Sequence, residues 1–270
     1  MLSKRIISAI IGIPLLVFIF NLGGLPFMIL NLIVVILALN EYYQLVEEKG
    51  IKSNRLSGYL IGVIWILVIY LTNNLNLIYP LVSLAVIVLL IKQILIKTDQ
   101  SAILTTAATL FGAVYITGLF SHLILLYNLE LSGGNGGRLI VWLPILATWL
   151  TDIGAYFVGM NFGKHRLAPR ISPNKTIEGA VGGLIGSIIM TIIFGRYFLN
   201  FTYLTGILLG GLIGLVAQLG DLAVSVFKRD AEIKDSGELI PGHGGILDRL
   251  DSLLFSIPVV YYYLQWVILK

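Results

Sequence analysis

The chain has 270 residues, of which 57% are hydrophobic and only 12% are charged, and its mean hydropathy is +0.94. Soluble domains carry about 25% charged residues, so this composition excludes an ordinary soluble domain and indicates an integral membrane protein. The chain contains no cysteine, which excludes disulfides, thiolate metal sites and a cysteine nucleophile.

Nine apolar segments approach the length of about 20 residues that a helix needs to cross a bilayer. They lie at residues 5–21, 25–46, 57–72, 77–96, 102–127, 138–162, 177–198, 203–227 and 250–269. The fifth is long and rich in Thr, Gly and Ala, so we expect it to be tilted or broken. The first has a basic start, but no Ala-x-Ala-like cleavage site follows it, so we predict a retained helix. The predicted fold class is all-α: a polytopic integral membrane protein with about nine transmembrane helices.

The basic residues predict the orientation of these helices. If the N-terminus is cytoplasmic and the spans alternate, the cytoplasmic connectors hold 15 of the 18 Lys and Arg residues. This agrees with the positive-inside rule and favours an odd number of spans. The basic charge then forms a layer along the membrane, so we expect no nucleic acid partner. We predict a multi-pass protein of the cell inner (plasma) membrane with its active site facing the cytoplasm.

Two of the predicted cytoplasmic connectors, 163–179 and 227–251, are long and densely charged. The first five helices carry little chemistry, whereas the last four and their connectors carry nearly all of it. We therefore predict a membrane scaffold of about five spans at residues 1–130. A catalytic membrane region of about four spans is predicted at residues 131–270.

Four aspartates stand out in the second half. Asp152 and Asp221 lie inside apolar runs, where a carboxylate costs several kcal/mol unless it is paired, hydrated or bound to a metal. Asp248 and Asp251 are three residues apart at the start of the last helix, so they project from one face. Helix capping would explain an Asp in a first turn. Together with Asp221 they could instead form an oxygen-ligand site for Mg²⁺.

The connector at 227–251 also contains the glycine-rich turn Gly242-His243-Gly244-Gly245. Backbone N–H groups in such a turn, just ahead of a helix, can approach an anion closely. No Walker A or zinc motif is present. A lone His among glycines is more often a hydrogen-bonding residue than a catalyst.

The connector at 163–179 contributes several cations around the sequence "SPNKT". Attraction to lipid headgroups accounts for part of this charge. Ser172, Pro173 and Asn174 predict a turn, with the next helix starting near Thr176. That turn would hold Lys175 at a defined place at the membrane surface.

Residues 225–251, "SVFKRDAEIKDSGELIPGHGGILDRLD", resemble the signature of the phosphatidate cytidylyltransferases, also called CDP-diacylglycerol synthases. The pattern runs Ser-x2-Lys-Arg-x4-Lys-Asp-x-small-x2-apolar-Pro-x-His-Gly-Gly-apolar-x-Asp-Arg-x-Asp. The stretch "DIGAYFVGMNFGKHRLAPRISPNKTIEG" resembles a second shared region of the family. The N-terminal half resembles the family only as a string of apolar helices.

The resemblance implies that CTP and phosphatidate react to give CDP-diacylglycerol and pyrophosphate in phospholipid biosynthesis, with Mg²⁺ as cofactor and membrane lipids as the surroundings. A homodimer is left open. His243 would orient a phosphate or a carboxylate rather than act as a base. The implied catalytic residues are Asp221, Asp248, Lys228, Arg229, His243 and Arg249. The implied substrate-binding residues are Lys164, Ser172, Lys175, Ser225, Lys234, Asp235, Gly244 and Gly245. The implied metal ligands are Asp221 and Asp248 first, and then Asp251.

Two alternatives use the same features differently. A CTP-dependent lipid kinase of the polyprenol type would transfer the γ-phosphoryl group to an alcohol. An ion-coupled transporter would use Asp152 and Asp221 as coupling sites, although transporters often repeat such features in two corresponding halves. Here the charge lies in one half, which argues against transport. The signature of the CDP-alcohol phosphatidyltransferases is absent, because Ser-Leu-Leu follows Asp251.

Overall fold

The computed structural model describes residues 2–96, 101–130, 136–234, 236–237 and 244–269, with side chains from residue 10 onward. Most of these residues are helical. The helices are α1 (Leu2–Leu22), α2 (Gly24–Glu48), α3 (Arg55–Thr72), α4 (Ile78–Leu95), α5 (Ala102–Gly112), α6 (His122–Tyr127), α7 (Gly136–Ile140), α8 (Trp142–Phe162), α9 (Ile177–Phe198), α10 (Tyr203–Asp230) and α11 (Leu247–Tyr263). A short antiparallel hairpin is formed by β1 (Arg166–Ala168) and β2 (Ser172–Thr176).

The all-α polytopic fold predicted from the sequence is confirmed. Among the described residues, seven helical stretches are long and apolar enough to cross a membrane. Helix α1 adds a shorter apolar stretch, Ile10–Leu22. Helix α11 has 17 residues and begins with Asp248 and other charged residues. The count of nine spans and the orientation of the N-terminus stay predictions.

The fifth predicted span is interrupted, as its composition indicated. Helix α5 passes into a π-helical turn at Ala113–Gly118, and α6 resumes the helix after it. The buried imidazole of His122 contacts the carbonyl of Gly118, with Nδ1 2.9 Å from the oxygen. Local π turns of this kind are a recognised cause of distortion in helices.

The chain forms two compact units. Unit 1 comprises Met1–Leu125 and Asp230–Asp248, and unit 2 comprises Leu126–Arg229 and Arg249–Lys270. The segment Asp230–Asp248, which contains most of the family signature, is therefore part of the same unit as the N-terminal helices.

Unit 1 is built on α2, α3 and α5. The hydroxyl of Tyr43 on α2 donates to the carbonyl of Thr109 on α5 at 2.9 Å. At the start of α3, Arg55 forms an ion pair with Glu47. The ammonium of Lys92 donates to the side chain of Asn54 at 2.7 Å. These contacts hold the connector between α2 and α3 against the ends of the neighbouring helices.

In unit 2, α8 and α9 pack backbone against backbone. A Cβ at Gly154 would lie 2.5 Å from the carbonyl oxygen of Gly182, so neither helix has room for a larger residue there. Helix α9 also packs closely against α10, where the hydroxyl of Ser187 donates to the carbonyl of Gly210 at 2.8 Å. Small residues that permit such close approach are typical of helix pairs in membranes.

The turn predicted at Ser172–Asn174 is wrong, because these residues lie in β2 and the turn of the β1–β2 hairpin is at residues 169–171, ahead of α9. The hydroxyl of Thr176 accepts a hydrogen bond from the N–H of Gly179 at 3.1 Å and caps the first turn of α9. The predicted helix start near Thr176 is therefore confirmed. The hairpin itself was not predicted, because its strands are too short to show an alternating pattern.

Candidate functional site

Unit 2 contains a cavity of about 360 Å³ between α8, the hairpin, α9 and α10. One part of its lining is apolar and includes Ala155, Met160 and Leu167, whereas another part is polar and charged. The polar and charged lining residues are Asp152, Asn174, Lys175, Thr176, Gln218 and Asp221. A cavity with both kinds of lining suits a ligand that has an apolar body and a charged head.

An ion pair between Lys175 and Asp221 lies in this cavity. The ammonium of Lys175, on β2, donates to Oδ2 of Asp221, on α10. Their side chains are 28% and 29% exposed. The other oxygen of Asp221 lies 3.5 Å from the hydroxyl of Ser225, one turn further along α10. The structure thus joins three predicted site residues, one from the connector at 163–179 and two from the apolar span at 203–227.

Two further aspartates of unit 2 interact with Asp221. The electrostatic interactions of Asp152 involve Asp221, Lys175 and Arg249. Those of Asp251 involve Asp221, Asp152 and Lys228. Three carboxylates and three cations therefore interact as one electrostatic cluster. All of the predicted catalytic charges of unit 2 except Arg229 belong to it.

A glycine explains why Asp221 and Asp251 approach each other. Gly220 precedes Asp221 on α10, and a Cβ there would lie 2.4 Å from the backbone oxygen of Asp251 on α11. Any larger residue would separate the two helices at this level. The dipeptide Gly220-Asp221 therefore supplies both the close approach and the charge.

The carboxylate oxygens of this cluster are of the kind that a magnesium ion binds. Among the residues that the structure describes, no group of three or more His, Cys, Asp or Glu has the arrangement of a preformed metal site. Mg²⁺ does not require one, because it is typically bound by one or two carboxylates together with substrate phosphates and water. Asp221 and Asp251 supply such carboxylates, and the Lys175 ammonium balances the charge of Asp221 in the protein alone.

The connector between α8 and α9 is fixed by side chains of unit 2. Glu178, in the first turn of α9, accepts hydrogen bonds from the backbone N–H groups of Lys164 at 3.0 Å and His165 at 3.2 Å. Arg229, near the end of α10, donates through Nε to the carbonyl of Ile171 at 3.1 Å. Arg229 therefore supports the hairpin that carries Lys175, in addition to its predicted role at a phosphate.

The other predicted substrate-binding side chains that the structure describes are exposed or half-buried. Ser172 is half-buried at the start of β2, and the side chain of Lys164 is exposed. Lys234 in unit 1 is also exposed, as is Arg249 in unit 2, which was predicted as catalytic. Asp235 and His243 lie outside the described residues. Their roles, and the metal-binding roles, stay predictions.

In unit 1, the described residues of the glycine-rich turn are Gly244 and Gly245. They lie next to carboxylates of the protein itself. Oδ2 of Asp248 accepts from the N–H of Ser236 at 3.0 Å and from the N–H of Gly245 at 3.4 Å. Gly244 has a φ of 81°, which favours glycine. The predicted use of Gly244 and Gly245 in substrate binding stays a prediction, and the N–H of Gly245 is engaged here by Asp248.

Sequence reasoning missed Glu41. This glutamate lies on α2, is 1% exposed and accepts hydrogen bonds from the backbone N–H groups of Ile246 and Leu247, both at 2.8 Å. An ionisable residue inside a candidate span is a signal of function by default, and that signal was present in "LALNEYYQLV". Its partners, about 200 residues away, could not be read from the sequence.

The matches to known proteins extend over both units of the chain. The sequence profile of the cytidylyltransferase family matches residues 3–267. The chain is 37% identical to a phosphatidate cytidylyltransferase of Synechocystis sp., over 97% of this chain and 96% of that protein. It is 34% identical to a phosphatidate cytidylyltransferase of Bacillus subtilis, over 97% of both chains. It is 35% identical to a protein of the same name from Staphylococcus aureus, over 96% of this chain and 97% of that protein.

Proposed function

The chain belongs to the cytidylyltransferase family, and we propose that it converts CTP and phosphatidate to CDP-diacylglycerol and pyrophosphate. The observation that carries the proposal is the Lys175–Asp221 ion pair in a cavity that is part apolar and part charged. A soluble anionic nucleotide and an anionic membrane lipid must meet in such a place. The nucleotide needs cations, and the lipid needs apolar surface beside them.

The proposed chemistry is an in-line substitution at the α-phosphorus of CTP. An oxygen of the phosphatidate phosphate forms a bond to that phosphorus. The bond from the phosphorus to the oxygen that bridges to the β-phosphate breaks, and pyrophosphate leaves. A phosphomonoester has a second pKa of about 6. The phosphatidate phosphate is therefore already ionised at pH 7 and needs no strong base to attack.

Catalysis in such a reaction depends on positioning and on neutralising negative charge. Lys175, Lys228 and Arg249 belong to the electrostatic cluster of unit 2 and supply positive charge for the phosphates of both substrates. Arg229 and Glu178 hold the connector that presents Lys175. The two substrates would otherwise repel each other, and the cations lower this repulsion.

We propose Mg²⁺ as the cofactor, held by Asp221 and Asp251 in unit 2. When bound, this ion neutralises phosphate charge and favours the departure of pyrophosphate. Asp248 stays a proposed ligand on the strength of the family resemblance. Its Oδ2 accepts two backbone hydrogen bonds within unit 1.

The protein is a multi-pass membrane protein, and we propose that it lies in the cell inner (plasma) membrane with the site on the cytoplasmic side. The positive-inside rule supports this orientation, since 15 of the 18 basic residues fall on one side of the nine-span arrangement. CTP is available on that side. A homodimer stays open.

Product analysis with two labels tests the reaction. Purified protein in mixed micelles with phosphatidate receives CTP labelled in the α-phosphate or in the γ-phosphate. We expect the α label to enter the chloroform-soluble product and the γ label to leave as pyrophosphate. Transfer of the γ label into lipid would identify a lipid kinase instead. No label in lipid, together with ion flux in liposomes that lack CTP, would identify a transporter.

A further inference from the structure

We propose that Glu41 is a positioning residue for the reaction, an inference that rests on the function proposed above. Glu41 lies on α2, in the half of the sequence where little chemistry was predicted. Its carboxylate holds Ser236 and the start of α11, at Ile246 and Leu247, in place. It acts through the backbone of that segment and does not contact the substrates.

The hydrogen bonds of Glu41 use both of its oxygens. Oε1 accepts from the N–H of Ile246 at 2.8 Å, and Oε2 accepts from the N–H of Leu247 at 2.8 Å. The hydroxyl of Ser236 also donates to Oε2 at 2.8 Å. The first N–H groups of a helix have no partner within the helix, so Glu41 caps α11 from a different helix. Three donors also offset the cost of burying the carboxylate.

The geometry of the turn is matched to this carboxylate. A Cβ at Gly245 would lie 2.3 Å from Oε2 of Glu41, and a Cβ at Gly237 would lie 2.8 Å from Oε1. A side chain at either position would therefore displace the Glu41 carboxylate, and at Gly245 it would displace the Ser236 hydroxyl as well. The sequence suggested another reason for glycine at Gly245, which was close approach of an anion to the backbone, and that use stays a prediction.

Ser236 connects Glu41 to Asp248. Its hydroxyl lies within hydrogen-bonding distance of both carboxylates, 2.8 Å from Glu41 and 3.1 Å from Asp248. Its N–H donates to Asp248 as well. A change at Glu41 therefore alters the donors that orient Asp248 in the first turn of α11. Misplacing a reacting group by about 1 Å can cost about 10²-fold in rate, so this support is expected to affect turnover.

Glu41→Gln is the direct test, because it keeps the shape and removes one acceptor. In either orientation the amide group of Gln faces one of the two backbone N–H groups, which loses its acceptor. We expect kcat to fall about tenfold or more in a protein that folds and elutes normally. We also expect faster hydrogen exchange in peptides that cover residues 244–250. The Michaelis constant for CTP should change much less than kcat.

Glu47→Gln is the matched control. Glu47 lies on the same helix, and its carboxylate binds Arg55 and Ser53 rather than the turn. We expect kcat within about twofold of wild type, as for a substitution away from the site, and unchanged exchange at 244–250. Wild-type kcat in a folded Glu41→Gln variant, or exchange at 244–250 equal in the two variants, would overturn the proposal.

Two further experiments test the proposal if Glu41→Gln does not fold or if the wild type is inactive. If Glu41→Gln does not fold, Ser236→Ala removes only the hydroxyl that joins the two carboxylates. A several-fold loss of kcat in folded protein is then expected, and unchanged kcat would overturn the proposal. If the wild type makes no CDP-diacylglycerol, the proposed function fails. Hydrogen exchange in Glu41→Gln against Glu47→Gln then tests the positioning alone.

Discussion

Lys175 and Asp221 show how single residues create a site within an apolar chain. An isolated charge among membrane-spanning helices is costly, and the ion pair lowers this cost in the protein alone. The same two groups are available to substrates, because both remain about 30% exposed in the cavity. Under the proposed function, the ion pair that stabilises the empty protein would also serve the anionic substrates and their metal ion.

Lys175→Ala is expected to reduce kcat/KM by about 10²-fold, the usual cost of removing one strong electrostatic stabiliser. The variant loses a cation of the cavity and leaves Asp221 without its ammonium partner. Lys52→Ala is the matched control, since Lys52 is exposed in the connector between α2 and α3. Steady-state kinetics with both substrates make the comparison. Equal effects of the two substitutions would show that the basic connectors only attract lipid headgroups.

Glu41 shows the limit of sequence reasoning at this scale. The aspartates of the second half were found because they interrupt apolar runs or stand in a spaced motif. Glu41 also interrupts an apolar run, but it is separated by 205 residues from Ile246, which it binds. Only the fold brings such residues together, so a contact of this kind has no local pattern.

At the scale of elements, the helices were predictable and their contacts were not. Hydropathy alone located every long helix, because a span needs about 20 apolar residues whatever its neighbours are. The interruption of the fifth span followed from its small residues. The β1–β2 hairpin was not foreseen, since it is held by its connections to α9 and α10 through Glu178 and Arg229 rather than by strand composition.

The contact between α8 and α9 gives a prediction about stability. Gly154→Ala places a Cβ 2.5 Å from the backbone oxygen of Gly182, which cannot move aside as a side chain can. We expect the free energy of unfolding to fall by about 1–3 kcal/mol, as for other overpacked contacts. Gly211→Ala on α10 is the control, because a Cβ there meets nothing within 4 Å. Chemical unfolding in detergent micelles measures the free energy of unfolding of both variants.

The control is expected to be neutral or slightly stabilising, since Ala is favoured over Gly in a helix by about 1 kcal/mol. Gly154 also lies between Asp152 and Ala155, which line the cavity. Its replacement should therefore lower activity together with stability. A Gly154→Ala protein as stable as Gly211→Ala would mean that α8 and α9 are further apart than the structure has them.

At the scale of the whole molecule, the unequal distribution of charge predicts the topology. The absence of cysteine allows single cysteines to be introduced cleanly. With nine spans and a cytoplasmic N-terminus, cysteines at Lys52 and Asn174 should be labelled from the same side of sealed vesicles. A cysteine at Asn76, in a connector predicted on the other side, should be labelled from the opposite side. All three positions are exposed.

A membrane-impermeant maleimide, applied to right-side-out and inverted vesicles, shows from which side each introduced cysteine is labelled. Labelling of Asn174 and Lys52 from opposite sides would mean that the four spans counted between them are wrong by an odd number. The nine-span arrangement would then be wrong, although the all-α fold would stand. Labelling of Asn174, which lines the cavity, from the outer side would place the site on that side of the membrane.

The central claim is that lipid cytidylylation takes place at the charged cavity of unit 2. Asp221→Asn tests it most directly, because the change removes one negative charge and keeps nearly the same shape. The measurement is the rate at which labelled CTP enters the chloroform-soluble product, at sub-millimolar and at high Mg²⁺. We predict a loss of about 10²-fold or more in folded protein, as for removal of a strong electrostatic stabiliser. Near-wild-type turnover by purified Asp221→Asn at sub-millimolar Mg²⁺ would contradict the account.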